Sequence, residues 1–201
     1  MILVISTGIK AHWLVNGVKS TRHNGYPMNV KKAILTRRSV RKYKKEPVKE
    51  EDLKVILEAA RQAPSAGNKQ PWEFIVIRDE ETKAKMAEIA RKQMWIADAG
   101  VVVVALSKDK TDPTIYERWV ERDVMTAVEH MVLQSWELGY GTCWIGAFTH
   151  PDTKELLGVP DEMNVICILP IGVPDQNPEP RARRDREEIF HAERYGKPLK
   201  L

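Results

Sequence analysis

The sequence predicts a mixed fold in which helices and strands interleave, either α/β or α+β. Two observations carry this. Apolar residues recur at helical spacing in some segments and run consecutively in others, and the two kinds of segment alternate along the chain. The consecutive runs GVVVVALS and NVICILPIG read as strands buried on both faces. At 201 residues, with 43% hydrophobic and 30% charged, the chain suits one globular domain with a sizeable core.

VKKAILTRR is a short helix running into a basic loop. KEEDLKVILEAARQAP follows as an amphipathic helix with Leu53, Ile56, Leu57 and Ala60 on one face. Glu50, Glu51 and Asp52 suit its first turn and Pro64 stops it. PSAGNKQPW is a turn-rich loop bounded by prolines, and WEFIVIR is a strand of aromatic and β-branched residues. ETKAKMAEIARKQM is helical and leads to the strand GVVVVALS. The longest helix spans about 115–138, where Trp119, Val120, Val124, Ala127, Val128, Met131, Val132 and Leu138 form a wide apolar stripe. Such a stripe serves a central core helix or half of a dimer interface, and pattern alone leaves both open. Gly139 ends it, TCWIGAF is a short strand and loop, DTKELLGVP a small helix, and NVICILPIG the last central strand. The tail from PEPRARRDREEIF onward is polar and Arg-rich, outside the core.

Several function classes drop out. The histidines are scattered without HExxH or CxxC spacing, so no metal site is expected. Cys143 and Cys167 lie in apolar runs and read as buried structural thiols. GxGxxG and Walker loops are absent; GYG at 139–141 is a helix stop. No apolar run approaches the roughly 20 residues of a spanning helix, so no membrane role is expected and the default location is cytoplasmic. Regular patterning starts near Met28, which makes residues 1–28 an N-terminal extension and 29–201 the single folded domain.

The window 31–45, KKAILTRRSVRKYKK, holds eight basic residues and no acid. A run this one-sided repels itself unless an anion holds it. A nucleic-acid module would use it with Tyr43 as a stacking residue. However, Trp72, Trp119, Trp136 and Trp144 fall in core elements rather than among the cations, which disfavours nucleic acid. A single phosphate suits the arginines better, because planar guanidiniums grip two oxygens at once and a serine hydroxyl adds a donor. Any one of these arginines, or the PSAGN turn taken alone, is equally an ordinary surface feature.

The order of these pieces is more informative. RRSVRKYKKEPV, an amphipathic helix, AARQAPSAGNKQPWEFIVI, AGVVVVAL, a long helix ending ELGYGTCWIGAF, then KELLGVP and ILPIGVP closely resemble the nitroreductase family of FMN-dependent oxidoreductases, over about residues 29–195. The resemblance implies an α+β fold with a mainly antiparallel sheet surrounded by helices. It also implies a homodimer, with the long helix at its core and FMN at the subunit interface. Arg37, Arg38, Ser39 and Arg41 match the family's phosphate-holding segment, and Arg181 and Arg183 the late basic pair that closes on it. Pro64, Ser65, Ala66, Gly67 and Asn68 match the loop that reaches the flavin from the partner chain. Ile145, Gly146 and Ala147 match the segment under the isoalloxazine. Some members carry an acidic residue and a glycine at the last two positions. For the polar contact before GVVVV, Arg91, Lys92 and Gln93 are the candidates. The implied chemistry is ping-pong transfer of hydride from NADH or NADPH through flavin N5 to a nitro compound, quinone or flavin, which explains the missing acid–base residues. The same fold also hosts specialised reductive dehalogenases and dehydrogenases. Those use lid insertions, and KDKTDPTI is short for one.

Overall fold

The computed structural model describes residues 29–108 and 117–200. The expected N-terminal extension and the segment 109–116 lie outside the described residues. The elements are α1 (Val30–Thr36), α2 (Glu50–Arg61), β1 (Trp72–Ile77), α3 (Glu80–Ile89), β2 (Val101–Lys108), α4 (Glu117–Glu137), β3 (Gly141–Thr142), α5 (His150–Leu157), β4 (Met163–Gly172) and α6 (Arg186–Ile189). The strands form one four-stranded sheet in the order β1-β2-β4-β3. Every pairing in it is antiparallel, so the fold is α+β with helices on both faces.

β2 explains why its sequence is apolar at consecutive positions. Val102, Val104 and Leu106 pack with Met86 and Ala87 of α3 and with Ile168. Val101, Val103 and Ala105 pack on the other face with Leu53, Ile56 and Ala60 of α2 and with Val124, Val128 and Met131 of α4. Alternation along a strand sends neighbours to opposite faces, and here both faces are covered. On β4 the pairing jumps from Ala105↔Cys167 to Leu106↔Val165, leaving Ile166 as the extra residue of a bulge. Ile166 therefore joins Cys167 on the α2/α4 side.

Three local readings change. α3 stops at Ile89 because Arg91 and Lys92 both adopt φ of 57°, which no right-handed helix accommodates. Trp119 leaves the core stripe of α4: it is 44% exposed, with the Arg122 guanidinium 4.9 Å from its ring centroid. Leu57 is only partly buried, at the margin of the α2 face.

A further change concerns the basic run, which is not a free loop. Ser39 bridges Thr142 in parallel and Tyr43 bridges Pro174 in antiparallel fashion. The Val40 N–H donates to the Thr142 carbonyl at 2.9 Å, Lys44 N–H to Val173 at 3.1 Å, and Asp175 N–H back to Lys42 at 2.9 Å. Val40 and Tyr43 are thereby buried, and the Tyr43 hydroxyl donates to the Val40 carbonyl at 3.0 Å. Tyr140, just before β3, donates to Asp52 Oδ2 at 2.7 Å and accepts from the Lys49 N–H at 3.3 Å, tying the strand to the start of α2.

Gly141 makes the seating possible. A Cβ there would lie 2.6 Å from Val40 Cγ2 and 2.7 Å from Val40 Cβ. Val40 is tethered through its own backbone and has little room to retreat. We predict that Gly141→Ala destabilises the fold by about 1–3 kcal/mol, the usual cost of overpacking. Urea unfolding checks this, and an unchanged midpoint would mean that the basic run is seated more loosely than described.

Candidate functional site

A cleft of about 440 Å³ opens between the end of α1, the basic run and the segment after β4. Arg37, Arg38, Ser39 and Arg41 line it together with Arg181 and Arg183. Glu179 is the single acid in the lining. Residues from opposite ends of the described chain thus meet in one concave, strongly cationic place. Five guanidinium groups around a cleft focus a positive potential and supply paired donors for an oxyanion.

The backbone explains how each group is placed. Asn29 Oδ1 caps α1 by accepting from the Lys32 N–H at 2.9 Å. At the other end, Trp136 Nε1 of α4 donates to Thr36 Oγ1 at 2.9 Å and pins the helix exit. Arg38 differs from its neighbours: its Nη1 donates to the Leu35 carbonyl at 3.1 Å and the Arg37 carbonyl at 2.9 Å, so it also caps the helix. Turned with its oxygen inward, the Gln176 amide accepts from the backbone N–H of Lys42 at 3.2 Å and from that of Arg41, holding the two walls together. The sequence reading missed Gln176, since nothing in its local pattern marks it.

Cys143 lies against this wall. Burial pushes its thiol pKa up, and the charges of Arg41 and Arg37 with a Ser39 hydrogen bond only partly offset that. Burial alone pushes Cys167 up to about 12. Both thiols are free and buried, which suits packing rather than nucleophilic attack. Glu129 of α4 was also missed. It is a half-buried acid whose pKa burial raises, while the Arg37 charge and a Trp144 hydrogen bond pull it back.

The other expected residues lie outside that cleft's lining. Ile145 is buried and exchanges two backbone hydrogen bonds of 3.0 Å with Ile168. This fixes the exposed Gly146 and half-buried Ala147 that follow. A Cβ at Gly146 would meet nothing within 4 Å, so its backbone is openly accessible. In the 64–68 loop, Gly67 and Asn68 take φ of 57° and 55°, left-handed values that glycine and asparagine tolerate best. The Ala66 N–H donates to Asp123 Oδ2 at 3.0 Å, and Gln70 N–H to Ser65 Oγ at 2.9 Å. Asp123 and Trp136 are thirteen positions apart on α4, roughly 20 Å along its axis at the usual rise. One chain therefore anchors the loop and the arginine wall at different ends of the same helix. Arg91, Lys92 and Gln93 do not line the cleft; Gln93 Nε2 instead donates to the Ala90 carbonyl at 2.9 Å. Among the described residues no cluster of three or more His, Cys, Asp or Glu could hold a metal ion. No helix among them is long and apolar enough to cross a membrane.

Comparison with known proteins agrees with this architecture. The model of the nitroreductase family matches residues 34–117 and 95–173. A protein of Archaeoglobus fulgidus named "Putative NADH dehydrogenase/NAD(P)H nitroreductase" is 35% identical over 166 residues, 81% of this chain and 90% of its own length. A protein of the same name from Methanothermobacter thermautotrophicus is 33% identical over 194 residues, 93% of this chain and 100% of its own length. The solved FMN-dependent nitroreductase of Clostridium difficile R20291 superposes with a TM-score of 0.71 at 30% identity, covering 81% of this chain and 98% of that one.

The Ala66–Asp123 bond ties the 64–68 loop to α4. We predict that Asp123→Ala destabilises the protein by about 1–3 kcal/mol, since a buried charge-assisted hydrogen bond is lost. Asp123→Asn, which keeps an acceptor oxygen, should lose less than half of that in urea unfolding. Equal losses in the two variants would show that charge, not the hydrogen bond, holds the loop.

Proposed function

The chain belongs to the nitroreductase family, and from that premise we propose that it is an FMN-dependent oxidoreductase using NADH or NADPH to reduce a nitro compound, quinone or flavin. The observation that carries this reading is the arginine cleft, in which 37–41 meets 181 and 183. A phosphomonoester carries about −1.5 to −2 charge at neutral pH and three acceptor oxygens. Arg37, Arg41, Arg181 and Arg183 offer planar forks for those oxygens and Ser39 a hydroxyl, so the donor set fits the ribityl phosphate. When bound, the flavin would supply the two-electron redox chemistry that links a nicotinamide donor to the oxidant in ping-pong order.

The chain's own task is then to bind, orient and exclude. The arginines fix the phosphate end. Gly146 and Ala147, with bare backbone on a rigid Ile145 bridge, offer an N–H to the ring system without a side chain blocking its face. A homodimer completes the site: residues 64–68, tied to the far half of α4, would close on the flavin held by the partner. The exposed Trp119 and Met125 of α4, on the side away from its buried stripe, and the loop's distance from the arginine wall both support that assembly. No side chain needs to act as acid or base in the hydride step, and none is assigned that role.

An absorption spectrum of the purified protein, followed by anaerobic addition of NADH and then NADPH, tests the reading. The expected result is a flavin spectrum that bleaches with at least one donor. A colourless protein that takes up no added FMN would sink it. Each of Arg37→Ala, Arg41→Ala and Arg181→Ala should weaken FMN binding by about tenfold or more, the loss expected when a charged hydrogen bond of about 1.5–3 kcal/mol disappears. Flavin titration of the apoprotein reads this directly.

A further inference from the structure

A second cleft of about 450 Å³ adjoins the arginine cleft, and the two share Arg38, Pro178, Glu179 and Pro180. Trp136, Pro174, Gln176 and Asn177 are among the walls that belong to the second cleft alone. Its chemistry differs from the first. A fixed aromatic ring and three prolines offer flat apolar faces, and two amide side chains offer hydrogen-bonding edges. Trp136 is held in place by its bond to Thr36. Gln176 is held through its oxygen, which accepts from the backbone N–H groups of Arg41 and Lys42. Flat faces with amide edges suit a heteroaromatic base, whose rings stack and whose nitrogens accept.

Charge at the seam points the same way. Five arginines against the one acid Glu179 leave a positive excess that a single phosphomonoester, at about −2, does not neutralise. Arg38 stands between the clefts with one terminal nitrogen used on the α1 carbonyls. Arg38 lines both clefts, so its other guanidinium nitrogens are the cationic donors nearest their seam.

We propose that the second cleft is an adenosine-phosphate subsite, with the phosphate at Arg38 and the base against Trp136. The proposal rests on the preceding assignment of the first cleft to the flavin phosphate. Two molecules carry this chemistry: NADPH, through its 2′-phosphoadenosine, and FAD, through the AMP half that it adds to FMN. NADH lacks the 2′-phosphate.

Calorimetric titration of the full chain separates these sources. 2′,5′-ADP and 5′-ADP are titrated into the protein both before and after saturation with FMN, and FAD and FMN into the apoprotein. Binding of 2′,5′-ADP about tenfold or more tighter than 5′-ADP, which is about 1.4 kcal/mol, supports the subsite and names NADPH as donor. FAD binding tighter than FMN by the same margin supports the subsite and names the cofactor. Asn177→Asp, a change at an exposed position, should weaken the discriminating ligand about fivefold or more through repulsion of its phosphate, leaving FMN affinity within about twofold. Failure of both pairs to discriminate overturns the proposal, and so does indifference of the discriminating ligand to Asn177→Asp. Failure of the flavin reading is seen separately, as absence of flavin uptake, because the ADP titrations of the flavin-free chain do not depend on it.

Discussion

The backbone pairing of the basic run to β3 and to the segment that follows β4 is the constraint on which the cationic cleft depends. Like charges crowded into 31–45 repel one another, and an unanchored loop would spread them into solvent. The Val40–Thr142, Lys44–Val173 and Asp175–Lys42 hydrogen bonds prevent that, with Val40 and Tyr43 buried as pegs. The pairing also sorts the cations. Lys42 meets Asp175 at 2.8 Å and Lys45 meets Asp98 at 3.1 Å, while Arg37, Arg38 and Arg41 line the cleft. Those exposed lysine pairs contribute little stability. Their effect is on position: carboxylates drain the flanks of the run and leave the guanidiniums facing one concave space.

α4 then relates the parts of the site to one another. Asp123 holds the 64–68 loop, Glu129 meets Arg37 and Trp144, His130 Nδ1 lies 3.2 Å from the Ala59 carbonyl of α2, and Trp136 holds the exit of α1. A helix buried along one stripe is a rigid ruler, and groups mounted on it keep their spacing better than groups on loops. The contacts that index the site are polar, whereas those that hold the helix in place are apolar. Polar and apolar positions on α4 consequently do different work, and a hydrophobic pattern reveals only the second kind.

That distinction explains how much was legible in the sequence. α2, α4, β2 and β4 are visible because long-range packing writes itself into side-chain periodicity. The pairing of 37–45 to the sheet edge is not visible, since backbone hydrogen bonds leave no mark on residue type and the cations mask the alternation. Nor is the bulge at Ile166, which exchanges one apolar residue for another across the faces. Arg91 and Lys92 look helical by composition, and only their left-handed backbone ends α3. For the candidate site, Arg37 to Arg41 and the pair Arg181 and Arg183 stand out as motifs, but their meeting in space had no local signature; the order of motifs suggested it. Glu129, Asp123 and Gln176 act through tertiary contacts alone, so residue-by-residue reading had no signal to find.

The placement of acids carries the last step. Gly146 and Ala147 bring no acid of their own, and the carboxylate that meets the arginine wall is Glu129, mounted on α4 and hydrogen-bonded to Trp144. Burial penalises the charged form of Glu129, and the Arg37 guanidinium compensates only in part. A carboxylate in that position tempers the charge of the arginine wall from within the protein instead of standing beside the open Gly146 backbone. The cleft, with five arginines and Glu179 as the single acid of its lining, stays strongly positive. Electrostatics of this kind favours anionic ligands over neutral ones of the same shape. Selection at this site is therefore expected to lie in which anions the two adjoining clefts can neutralise, more than in any side chain at the reacting atoms.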